Sequence, residues 1–190
     1  GRVPAASERA PGRPCDTIAC GGTHTAFIDV EGSVWTFGAN DRGQLGRPEV
    51  DTTNGSWGRP GRVRGLRERA VAVAAGHHHT LVALADGSVM SFGCNASGQL
   101  GTGPSLTATA GRAPALVASL GDERVVSVAA GASHSLVATD GGAVFAFGSR
   151  KDGVLGKDEK RSFLTGFLPG AAVRAMGAAP PQHYPAQVPG

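Results

Sequence analysis

A chain of 190 residues is one domain or slightly more, and its 30 glycines and 12 prolines argue against a bundle of long helices. A hydrophobic content of 41% suffices for a core and excludes wholesale disorder; no apolar run approaches the ~20 residues of a membrane-spanning helix, and the glycines lack the three-residue period of collagen. The net charge of +3 is concentrated: Arg59, Arg62, Arg64, Arg67 and Arg69 stand against Glu68 alone, which leaves the rest of the chain near neutral and unlike a protein that binds nucleic acid over its whole surface.

The chain begins at Gly1 rather than Met, which points to a processed product or part of a longer polypeptide. Residues 1–17 read as an irregular segment. Their Arg2, Arg9 and Arg13 against Glu8 suit either the neighbour of a cleaved organelle-targeting peptide or a plain terminus. The three cysteines, Cys15, Cys20 and Cys94, include no C-x-x-C pair and imply no disulfide framework, so reduced thiols inside a cell are expected.

From residue 18 the chain repeats itself. Residues 18–46, 73–101 and 128–156 align without a gap at an offset of 55 residues and share ten positions. Gly21, His24, Phe37 and Gly38 recur as Gly76, His79, Phe92 and Gly93, and again as Gly131, His134, Phe147 and Gly148. Within the second unit, the β-type runs Thr80–Leu84 and Ser88–Phe92 flank Asp86-Gly87. That pattern predicts a hairpin with a two-residue turn, both of whose central residues take positive φ. Val71–Ala75 and Val125–Ala130 predict a strand upstream of the hairpin, and segments around Arg62–Arg64 and Ala115–Ala118 a fourth. Short strands with no amphipathic helix between them predict an all-β fold: three consecutive propeller blades of antiparallel strands, spanning residues 18–156. The Phe-Gly pairs are structural on this reading, each ring burying area worth about 2–3 kcal/mol while the glycine admits a close backbone neighbour.

After Gly156 the repeat stops. Residues 157–190 read as an irregular tail: a mixed-charge run from Lys157 to Arg161, an apolar run from Phe163 to Leu168, then Pro180-Pro181, Pro185 and Pro189. Such a tail either caps the last blade or lies along a partner.

Few residues suggest chemistry. His77-His78-His79 is the densest cluster, yet two imidazoles on one strand face are half a zinc site, with no carboxylate or thiolate close in sequence. His79, with its equivalents His24 and His134, is better explained by packing and a backbone hydrogen bond than by three active sites. No G-x-S-x-G elbow appears, and Gly101-Thr102-Gly103-Pro104 lacks the lysine and following helix of a phosphate loop. Asp158-Glu159 sits in a solvated charged run. No catalytic centre, cofactor or metal is therefore expected. Arg59, Arg62, Arg64, Arg67 and Arg69 are the candidate contact surface for an acidic protein or, through this segment alone, a nucleic-acid backbone; no aromatic residue interleaves with them to stack bases.

The pattern Gly-x-x-His-(Thr/Ser), an acidic-Gly or Gly-Gly turn, then Val-x-x-Phe-Gly-x-Asn-x-x-Gly-Gln-Leu-Gly resembles the regulator of chromosome condensation repeat. The units beginning at Gly21 and Gly76 match it fully; the third departs, with Arg150 where Asn40 and Asn95 stand and Val154 in place of Gln44 and Gln99. The resemblance implies blades of a seven-bladed propeller. Three units cannot close such a ring, so missing blades of the same propeller or other protein subunits would cover the open flanks. The function expected is a non-catalytic interaction or scaffold module, with the long connections setting specificity. The family also implies an alternative, guanine-nucleotide exchange on a small GTPase, to which no repeat residue can be assigned. Light sensing, as in a plant photoreceptor similar to this family, depends on a tryptophan cluster, and only Trp35 and Trp57 are present. Nucleus or cytosol is the setting that the family implies, and an organelle is the competing one.

Overall fold

Runs rich in valine, threonine and phenylalanine become strands because β-branched and aromatic side chains fit a pleated surface. The structure, a computed structural model, describes residues 17–48, 58–103, 112–155 and 185–188. Three four-stranded antiparallel sheets follow one another along the chain. Blade 1 comprises β1 (Thr17–Cys20), β2 (His24–Ile28), β3 (Val34–Gly38) and β4 (Gly61–Arg62). Blade 2 comprises β5 (Ala70–Ala75), β6 (His79–Leu84), β7 (Val89–Gly93) and β8 (Ala115–Leu116). Blade 3 comprises β9 (Val125–Ala130), β10 (His134–Thr139), β11 (Val144–Gly148) and β12 (Ala186–Gln187). The fold is all-β, a partial propeller of three blades. No helix of the described residues is long and apolar enough to cross a membrane.

The registers coincide from blade to blade: Ile18 pairs with Phe27, Val73 with Val82 and Val128 with Val137. The fourth strand of blade 3 differs from the sequence expectation, for it comes from the tail. Ala186 and Gln187 pair with Ala146 and Phe145, and the Val188 N–H donates to the Val144 carbonyl at 2.6 Å. The Val63 N–H to Val34 and the Val117 N–H to Val89 bonds are the equivalents in blades 1 and 2. The repeat offset conceals this strand because the connection leading to it is much longer than in the first two units.

The hairpin turn also differs. In blade 2 the Gly87 N–H donates to the Leu84 carbonyl and the Leu84 N–H to that of Ser88, enclosing three loop residues rather than two. Only the glycine has positive φ (Gly32 +81°, Gly87 +89°, Gly142 +83°), so each turn is an ordinary right-handed one closed by a glycine bulge. Asp-Gly suits both turn types, which is why the dipeptide alone misleads. Asp29 and Asp86 carboxylates accept the backbone N–H groups of Ser33 and Ser88 beside their turns.

Because side chains alternate along a strand, each blade has two unlike faces. Val73, Val82, Met90 and Phe92 of blade 2 pack with Ala26, Ile28, Val34 and Val63 of blade 1. The opposite face, with Ala74, Leu81, Ala83 and Val89, packs with Val125, Val137, Phe145 and Phe147 of blade 3. Both faces of blade 2 are thus covered, and every residue of β6 and β7 is buried. That double burial explains the unbroken apolar run at Leu81–Leu84, where a half-solvated strand would alternate. Among the described residues the core lies between blades rather than within one. Gly46 and Gly101 serve this packing, since a Cβ at either would sit 2.8 Å from the ring of Phe92 or Phe147 on the next blade.

Candidate functional site

The repeat histidines tie neighbouring blades together. His24 Nε2 lies 2.8 Å from Thr80 Oγ1 on the following blade, and that hydroxyl donates back to the Gln44 carbonyl at 2.9 Å. His79 Nε2 lies 2.9 Å from Ser135 Oγ, which donates to the Gln99 carbonyl at 2.7 Å. Each hydroxyl has one proton and gives it to a carbonyl, so the imidazole must be the donor, with its proton on Nε2. Burial pushes both histidines down to about 4, which keeps the rings neutral, and their Nδ1 atoms are buried without a hydrogen-bond partner. Gly21, Gly76 and Gly131 accompany the histidines because the imidazole edge occupies the space a Cβ would need. These residues form a joint between blades.

The asparagine and glutamine of the motif lock the turn that carries the accepting carbonyl. Asn40 Oδ1 accepts the Leu45 N–H at 3.1 Å and its Nδ2 donates to the Arg47 carbonyl; Asn95 does the same with Leu100 and Gly103. Gln44 and Gln99 side chains accept the N–H groups of Arg42 and Ser97. Gln44 also donates to Asp41 Oδ1 at 2.9 Å, and that bond holds the Asp41 carboxyl below the usual carboxylate range. With Arg150 and Val154 in these positions, blade 3 has neither clamp.

Antiparallel pairing sends the connections to two opposite edges. The Gly-x-x-His loops and the long links after β3, β7 and β11 leave from one, the loop edge; the hairpin turns and the return segments 63–69 and 117–124 form the other, the hairpin edge. The five arginines are exposed and spread between them. Arg62 is on β4, Arg59 precedes it, and its carbonyl accepts from Arg47 Nη2 at 3.3 Å. Arg64, Arg67 and Arg69 cross the hairpin edge toward β5, an edge that also carries Glu31, Glu68, Asp86, Asp122, Glu123 and Asp140. Asp86 is held below the usual carboxylate range by hydrogen bonds from Ser88 and, to a lesser extent, by the Arg67 charge. The segment is therefore interleaved with acids in space, which its sequence does not reveal.

On the loop edge, the His77 and His78 rings stack with centroids 4.2 Å apart, and the His77 N–H donates to the Ala132 carbonyl of blade 3 at 3.2 Å. Among the described residues no group of three or more His, Cys, Asp or Glu side chains could hold a metal ion. Residues 49–57 and 104–111 of the long links, and 156–184 of the third, lie outside the described residues, as do Trp57 and the run from Lys157 to Leu168.

The sequence profile described as the regulator of chromosome condensation (RCC1) repeat matches residues 31–83 and 86–138, and a second profile of the same repeat matches 15–44, 70–99 and 125–153. This chain belongs to the RCC1 repeat family. Among its relatives is the RCC1 domain-containing protein RUG3, mitochondrial, of Arabidopsis thaliana, 35% identical over 144 residues that span 75% of this chain and 31% of that protein. Among solved structures, Prp20p of Saccharomyces cerevisiae is similar with a TM-score of 0.60 and 26% identity, over 74% of this chain and 34% of that one. Human WBSCR16 shares the fold with a TM-score of 0.67 at 23% identity, over 90% of this chain and 38% of its own. The chain spans about a third of the length of each of these three proteins.

Proposed function

We propose that this RCC1-repeat chain is a non-catalytic protein-interaction module, its three blades over residues 18–156 holding the loop edge in place as a contact surface within a larger assembly. The observation that carries this reading is the use made of the motif's polar side chains. His24, His79, Thr80 and Ser135 are committed to joints between blades, and Asn40, Gln44, Asn95 and Gln99 to turns, so what varies is the long connections that leave from one edge. Specificity on loops held by a rigid scaffold is a common arrangement. Arg59, Arg62, Arg64, Arg67 and Arg69 are proposed as a secondary contact for a protein with mixed charge, since acids interleave with them; a nucleic-acid backbone would meet those acids as well. The setting proposed is intracellular, and the mitochondrial relative RUG3 makes an organelle as eligible as nucleus or cytosol.

The test is capture of partners on the immobilised chain, repeated with Arg42→Glu and His77→Ala on the loop edge. A partner lost on these variants, with strand content unchanged by circular dichroism, supports the reading; a partner retained on both and lost only on Arg64→Glu moves the surface to the hairpin edge. The second reading, nucleotide exchange, draws on the likeness to Prp20p, whose structure is described with its binding properties to Gsp1p and histones. Accelerated nucleotide release from a GTPase of that type would establish it, and release at the uncatalysed rate would remove it.

A further inference from the structure

The hairpin edge of blade 2 holds a cleft of about 180 Å³, on the opposite side of the blade from the loop edge. Its floor is apolar: Val89, Val117 and Leu120 are buried, and Leu116 beside them is half-buried. Its rim is charged, with Asp86 from the hairpin turn, Glu123 from the return segment and Arg67 from the preceding return segment, all exposed. A space of that size takes one side chain, since a cavity of about 150 Å³ holds a benzene ring, and it falls short of the roughly 300 Å³ of a free small-molecule site. The cleft belongs to the middle blade, flanked by described blades on both sides, and the links 49–57, 104–111 and 156–184 connect strand ends on the opposite edge.

The strand registers show what blade 1 keeps at the same place. Arg62 pairs with Trp35 as Leu116 pairs with Met90, and the Val63 N–H bonds to Val34 as that of Val117 does to Val89. Arg62 and Arg64 therefore stand where blade 2 has Leu116 and Ala118. The carboxylates are shared: Glu31 corresponds to Asp86, and Glu68, two residues before Ala70, corresponds to Glu123, two before Val125. Blade 1 thus brings two arginines of its own to this pair of acids, and blade 2 has the acids without those arginines. Neither Asp86 nor Glu123 forms an ion pair among the described residues. Both bonds from Ser88 go to Oδ1 of Asp86, so Oδ2 receives neither. The far wall is the turn Ala118–Leu120, which reverses at Gly121 (φ +60°, ψ −128°) in a conformation open essentially to glycine.

We propose that this cleft is a docking site for an arginine side chain presented by an extended segment of a partner protein. The aliphatic stem lies on Val89, Leu116 and Leu120, and the guanidinium meets Asp86 and Glu123 at the rim, an arrangement that suits a long side chain with an apolar body and a charged tip. Arg67 leaves the rim with a net charge of −1, so a cation is favoured and Arg67 itself opposes it. The site is additional to the loop-edge contact surface and does not depend on it.

The test is a titration of the 190-residue chain with Nα-acetyl-arginine methylamide, read by backbone amide chemical shifts. Saturable shifts should gather at Ser88, Val89 and Ala118–Glu123, and they should weaken as salt screens the rim. Nα-acetyl-norleucine methylamide, an aliphatic stem without charge, should bind at least about threefold more weakly, as should the arginine probe on Asp86→Asn combined with Glu123→Gln. Ala118→Trp, which fills the cleft from an exposed position, should abolish the shifts. Arg67→Ala should tighten binding, whereas a site for an acidic group would lose affinity, and this arm leaves the turn untouched. Absence of saturable shifts at the cleft, equal binding of the uncharged probe, or weaker binding on Arg67→Ala would overturn the proposal. Partner capture on the loop edge is read with different variants, so either result leaves that test intact.

Discussion

Thr80→Val tests the joint between blades 1 and 2 with little change in shape. The substitution replaces one hydroxyl by a methyl, keeps the packing of β6, and strands two buried groups: the His24 Nε2–H and the Gln44 carbonyl. An orphaned buried polar group costs about 1–3 kcal/mol. The added methyl returns about 1 kcal/mol of apolar burial. The net loss is therefore about 1–5 kcal/mol, which urea unfolding should register as a lower midpoint at unchanged slope. Thr25→Val is the control, since its hydroxyl bridges nothing among the described residues; a surface-like cost below about 0.5 kcal/mol is expected. In a double-mutant cycle, His24→Leu with Thr80→Val should cost less than the sum of the two, because both break one joint. If Thr80→Val behaves like Thr25→Val, or if the cycle is additive, the hydroxyl bridge does not hold the blades together.

Acid should loosen the same joints. His24 and His79 titrate at about 4 in the folded chain against 6.5 ordinarily, so the unfolded chain binds more protons between those values and stability falls as pH drops through that window. The loss is about 3 kcal/mol per ring by its lower end, readable as a falling urea midpoint, and His79→Gln should remove about half of it. Gly46→Ala, with φ +62° and the Phe92 ring 2.8 Å from the new Cβ, should cost at least about 2 kcal/mol in thermal melts. Gly121→Ala, with φ +60° and ψ −128°, a conformation open essentially to glycine, should cost about 1–3 kcal/mol despite the open space around it. Asn40→Ala, which orphans the buried Leu45 N–H, should cost about 1–3 kcal/mol and leave blade 3 unaffected in hydrogen exchange.

Most of the architecture is legible in the repeat, because three copies of one pattern must fold alike. What escapes the sequence lies where a partner is distant or a spacing breaks. The histidines announce themselves, but the hydroxyl that each meets is 56 positions further on; the signal is Thr25, Thr80 and Ser135, a hydroxyl after every repeat histidine. β12 escapes because its link ignores the 55-residue offset, although Pro-x-x-Val recurs at Pro60–Val63, Pro114–Val117 and Pro185–Val188 and marks all three fourth strands. The turn is misread because glycine at one position satisfies two geometries. The arginine segment reads as one basic stretch only while the acids of the neighbouring turns are out of view.

The origin of β12 makes residues 185–188 matter more than a repeat search suggests. A frameshift or a protease nick just ahead of Pro185 would spare the three repeats at 18–46, 73–101 and 128–156. It would nonetheless leave Val144–Gly148 as a bare border of N–H and C=O groups, a template for another molecule's strand. Lesions in so plain a stretch would turn a finished sheet into an adhesive one.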